Sequence, residues 1–191
     1  LLIFSGYVAC VFALGWQRLK PAPDWGIDKI ALILGTALSV AVMEEIFFRG
    51  YFYGLCRGQL GRLRAVWINV LFFAAVHYIR PPQGNFSDGV NWSSGFRILN
   101  LALRSFAHPG ELAGGFLVLM LVAWMLCWTV ERTKNVYLAM GLHAGWIMIL
   151  KFNFAWTQYA ASLPLWMLGG GDLSQGTLTL VPLALEFAVL R

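Results

Sequence analysis

Glu44 and Glu45 stand side by side in an otherwise apolar run, and Arg49 follows four residues after Glu45. A charge at the centre of a bilayer costs roughly 2.5–3.5 kcal/mol on insertion scales, so such residues face a protein interior or a water-filled cavity. On a helix Glu45 and Arg49 share a face, with the acid on the favourable N-terminal side, and they can neutralise each other. Glu44 projects about 100° away on the helical wheel. It is left without an obvious partner in its own helix. That asymmetry predicts a division of roles: Glu45 with Arg49 as a supporting ion pair, Glu44 as a general base. The alternative is a single ionic network that only ties helices together.

Two histidines extend the set. His77 closes the apolar run Phe73–His77, and His143 lies in Gly141-Leu142-His143-Ala144-Gly145. A lone histidine in an apolar helix is usually a hydrogen-bonded core residue. Two of them beside a glutamate pair, in a chain with three histidines, point to one shared polar pocket. The third, His108, precedes Pro109 in a polar stretch and reads as ordinary surface. Gly141 with Gly145, and Gly50, Gly54 and Gly58, form small faces that let helix backbones approach. Glu and His in such a pocket activate water in two ways. They hold zinc, with a further carboxylate as base. Or Glu deprotonates water directly, with one His assisting and another stabilising the oxyanion. No His-Glu-x-x-His spacing occurs, so the metal-free route is the expectation. No cofactor is then needed, and zinc is the alternative.

These residues need helices to carry them, and the composition supplies the kind. The 191 residues are 59% hydrophobic and 12% charged, and mean hydropathy is +0.68. Soluble domains carry roughly 25% charged residues. Lipid is therefore the expected solvent, and an all-α polytopic transmembrane bundle in one domain, residues 1–191, the expected fold. The net charge of +5 does not imply nucleic acid. Arg57, Arg62 and Arg64 cluster in one polar break and Arg132 and Lys134 in another, as in loops that flank membrane helices. Those two breaks should share one side, and the cytoplasmic side is expected.

Four spans are predicted, over residues 30–56, 65–79, 112–130 and 136–152. Partial ones are predicted over 1–16 and 177–190. The first full span would run about 40 Å. The segment 17–29 reads as polar turn, 57–64 as a basic break, and 96–107 as a short interfacial helix. Pro81 and Pro82 should stop the helix before them, and Gly169, Gly170 and Gly171 should break the tail. Cys10, Cys56 and Cys127 give neither a disulfide framework nor a metal spacing and read as buried thiols. The Asn-x-Ser triplets at Asn85 and Asn91 read as coincidence. The chain opens at Leu1 inside an apolar run, so native residues are expected before it.

Glu44-Glu45-Ile46-Phe47-Phe48-Arg49 resembles the EExxxR motif of the CAAX protease and bacteriocin-processing family. Phe73 to His77 resembles its FxxxH motif, and His143 stands where its last motif, HxxxN, begins. The likeness covers about residues 30–152. It implies the fold of the CAAX prenyl endopeptidases, which are intramembrane glutamic peptidases. It implies Glu44 as the base, His77 as its catalytic partner and His143 on the oxyanion side, with Glu45 and Arg49 in support. It also implies a peptide or membrane-protein substrate, and the expected location is a bacterial inner membrane. One position departs: Ile147 stands where the family often has Asn. Losing such a donor costs about 10²–10³ in rate. A non-catalytic immunity or assembly factor on the same scaffold is the competing expectation.

Overall fold

The computed structural model describes residues 1–21, 26–79, 91–107, 109–159, 167 and 176–190. Pro81, Pro82, Asn85, His108 and Gly169 to Gly171 lie outside them. The helices are α1 (Leu2–Ala13), α2 (Ile27–Glu45), α3 (Tyr53–Leu60), α4 (Arg62–Val76), α5 (Ser94–Ala102), α6 (Pro109–Thr133), α7 (Tyr137–Trp156) and α8 (Leu180–Leu190). A π-helical segment, Ile46–Phe52, joins α2 to α3 without interrupting the rod. Among the described residues three helical stretches are long and apolar enough to cross a membrane: Ile27–Leu60, Ala113–Thr133 and Tyr137–Trp156. The chain is an integral membrane helical bundle.

The span predicted over 65–79 is shorter than the other three. α4 has 15 residues, about 22 Å of helix against a hydrocarbon core of roughly 30 Å. The basic break also contracts. Arg57 lies within α3 and Arg62 and Arg64 begin α4, so only Gly61 separates the helices. Its φ of +78° and ψ of +167° belong to a region that is essentially glycine's own. An added Cβ there would meet nothing within 4 Å, so the constraint is backbone strain. Gly61→Ala is expected to cost about 1–3 kcal/mol, read as a lowered unfolding temperature in detergent.

The two breaks do meet on one side. Glu131, near the end of α6, takes Arg57 Nε at 2.6 Å, Arg62 Nε at 3.8 Å and Lys134 Nζ at 3.7 Å. Two arginines in the first turn of α4 oppose its macrodipole, and Glu131 offsets that. The arginines and lysine are exposed, so each pair adds little alone.

The segment 17–29 is not turn throughout. Gln17–Leu19 pairs antiparallel with Thr157–Tyr159, Arg18 opposite Gln158. Asn153 Nδ2 donates to Gln17 Oε1 at 3.1 Å, so this ribbon caps the exit of α7. The predicted interfacial helix is α5 with the 3₁₀ turn Leu103–Ala107. Asn91 Oδ1 accepts from Ser93 N at 3.0 Å just before it, an Asx turn that starts the helix. Of the cysteines only Cys127 is buried; Cys10 is exposed and Cys56 half-buried.

The glycine faces do not make the helix contacts. Added Cβ atoms at Gly54, Gly58 and Gly141 would meet nothing within 4 Å, and Gly50 would meet only its own helix's Glu45 carbonyl. Gly145 alone is packed, against Leu1. Close approach falls instead to alanines. Ile33, Ala37, Ala41 and Glu45 form one buried stripe on α2, and α2 packs along α7. Two apolar clusters share α6. One gathers Phe4, Met125, Leu126, Trp146 and Leu183; the other gathers Phe48, Tyr53, Val70, Phe73 and Cys127.

Candidate active site

The α2 stripe ends on Glu45, and the π-helical segment begins at the next residue. Such segments recur at functional sites because the wider turn re-aims side chains and frees a carbonyl. Here Asn69 of α4 uses one: its Nδ2 donates to Phe48 O at 2.7 Å, and its Oδ1 accepts the Cys127 thiol at 3.2 Å. Asn69 thus fastens the π-helical segment to α4 and α6. Asn69→Leu leaves a buried carbonyl without its donor. It is expected to cost about 1–3 kcal/mol, seen in detergent unfolding.

Arg49 Nη1 donates to Glu45 Oε1 at 2.8 Å. The same oxygen lies 2.8 Å from His143 Nδ1. An ionised carboxylate only accepts, so His143 donates from Nδ1 and keeps Nε2 for the cavity. The guanidinium lies over the Phe73 ring, 4.3 Å from its centroid, a cation–π contact in a desolvated place. Phe73 also holds the other histidine. His77 caps α4, and its Nδ1 lies 2.7 Å from Phe73 O. A carbonyl cannot donate, so Nδ1 carries the proton and Nε2 faces outward. The Phe73 and His77 ring centroids are 4.3 Å apart.

Both free nitrogens point at Glu44. His77 Nε2 is 3.7 Å from Glu44 Oε2, and His143 Nε2 is 3.9 Å from the same atom. These separations are too long for hydrogen bonds and suit a bridging water. Burial divides the set. The Glu45 side chain is 0% exposed and that of His143 8%, while Glu44 and His77 are 25% and 30% exposed. A cavity of about 360 Å³ takes Glu44, His77, His143 and Phe73 into its wall. Glu44, His77 and His143, predicted from separate segments, therefore converge on one space, with Glu45 and Arg49 behind them.

Ile147 lines the same cavity one turn beyond His143. Asn69 and Asn153 do not supply the missing donor: Asn69 Nδ2 is committed to Phe48 O, and Asn153 to Gln17 and Thr157. Among the described residues no group of three or more His, Cys, Asp or Glu meets the geometry of a metal site. Sequence reasoning missed Phe73 and Asn69 as organisers. It also missed Glu186, buried in α8, whose Oε2 accepts from Trp146 Nε1 at 2.8 Å and whose Oε1 accepts from Phe4 N at 3.1 Å. The rule that flagged Glu44, an acid within an apolar run, applies equally to Glu186.

One cavity of this membrane bundle thus gathers one carboxylate and two outward imidazole nitrogens. The family model described as Type II CAAX prenyl endopeptidase Rce1-like matches residues 26–149, and the chain belongs to that family. The matched stretch holds Glu44, Glu45, Arg49, His77 and His143. No curated protein and no solved structure matches the chain.

Proposed function

We propose that this protein is an intramembrane endopeptidase in which Glu44 activates water for attack on a peptide carbonyl. One observation carries the reading: a single oxygen of Glu44 faces Nε2 of both histidines across a shared cavity. Water seated there gives a proton to Glu44 while its oxygen bonds the carbonyl carbon. The carbonyl electron pair moves to oxygen. When the C–N bond breaks, Glu44 returns the proton to the departing nitrogen. A histidine Nε2 that carries a proton donates to the oxyanion. His143 fills this role and His77 assists the water. Ile147 adds no donor, so His143 carries more of the oxyanion than where an Asn stands at that place. Family membership supports a membrane-associated peptide substrate, and we place the protein in a bacterial inner membrane.

The test is cleavage of a lipid-tethered peptide by the protein in bilayers, with products read by mass spectrometry. His77→Gln is expected to slow cleavage about 10²-fold. An unchanged rate would remove His77 from the mechanism. Ile147 favours a second reading, a non-catalytic immunity or assembly factor. In that case biological function survives the loss of His77 and Glu44 together.

A further inference from the structure

Thr36 and Lys151 belong to two cavities at once: the one holding Glu44 and a second of about 440 Å³. The second lies between the start of α2 and the end of α7, away from the Glu131 cluster. Lys20, Lys29 and Lys151 line it, and among the described residues no Asp or Glu does. Asp28, next to Lys29 in α2, is not in its wall. Lys20 is already used. Its Nζ donates to Phe154 O at 2.7 Å and Ala155 O at 3.0 Å, answering the negative end of α7. Lys29 and Lys151 then remain as two like charges on one cavity, with no carboxylate in its wall among the described residues. Lys29 is the third residue of the stretch Ile27–Leu60 and Lys151 stands five residues before the end of Tyr137–Trp156, where long basic side chains reach towards the headgroups of a membrane. Beside them Leu32, 64% exposed, continues the cavity wall as apolar surface.

We propose that Lys29 and Lys151 bind the phosphate of an anionic phospholipid at the mouth of the catalytic cavity. The ammonium groups supply the charge, and the exposed Leu32 takes the start of an acyl chain. Lys151 stands two helical turns, about 12 Å, from His143, so a bound lipid borders the path to Glu44.

The full chain would be extracted from vesicles of equal phosphatidylcholine and phosphatidylglycerol, and retained lipid identified by native mass spectrometry. Phosphatidylglycerol is expected to be enriched. Lys29→Gln and Lys151→Gln are each expected to cut the enrichment roughly fivefold, and the double variant to abolish it. Lys134→Gln, at the other end of the bundle, should leave it unchanged. Equal retention of the two lipids overturns the proposal, as does enrichment that survives the double variant. Displacement of the lipid by millimolar inorganic phosphate would assign the lysines to a soluble anion instead. A double variant that keeps the lipid but raises KM only for peptides with a free C-terminus would assign them to the substrate. Because the readout is lipid retention, it stands or falls apart from peptide cleavage.

Discussion

Glu44→Gln lowers the cleavage rate by about 10²–10⁴-fold, the range that a positioned general base contributes, while the unfolding temperature stays at the wild-type value. The amide keeps the size of the carboxylate and cannot take a proton from water. Stability is spared because Oε2 of Glu44 has no hydrogen-bond partner among the described residues. The neighbouring carboxylate behaves differently, since Glu45 Oε1 joins Arg49 to His143. Cleavage assays beside detergent unfolding curves for both glutamine variants separate the roles. Equal loss of stability in Glu44→Gln and Glu45→Gln would return Glu44 to a structural network.

Arg49→Met destabilises the protein by about 3–5 kcal/mol, the cost of stranding one partner of a buried ion pair. Glu45 is fully buried, and Arg49 is the cation bonded to it. The variant also loses the stack over Phe73, whose carbonyl orients His77. Activity therefore falls together with stability. Removing both charges in Glu45→Gln/Arg49→Met recovers part of the stability, because no unpaired charge then remains. Chemical unfolding in mixed micelles measures both variants. Wild-type stability for Arg49→Met would show that Glu45 is neutralised by some other group.

Hydropathy made the three long helices legible, because a membrane demands long apolar runs and leaves little else to read. At α4 the apolar residues cover a shorter rise than in the other three. The ribbon of Gln17–Leu19 with Thr157–Tyr159 was invisible for a physical reason. Three-residue strands have no usable period, and their partners lie about 140 residues away. The glycine faces misled because small residues permit close approach without requiring it; Ala37 and Ala41 took that place on α2. In the site, Glu44, Glu45, Arg49, His77 and His143 stood out because charge and imidazole are costly in lipid. Asn69 and Phe73 did not, since they act through backbone carbonyls and ring stacking that exist only after the helices meet.

Cleavage in heavy-oxygen water tests the central claim most directly. Purified protein in a bilayer would be given a tethered peptide, with metal content measured on the same sample. One heavy oxygen is expected in the new carboxyl end of the N-terminal product. The rate should not change with a chelator, and the label should vanish in Glu44→Gln. Stoichiometric zinc with activity lost on chelation, or label at the wild-type rate in Glu44→Gln, would contradict Glu44 as the group that activates water.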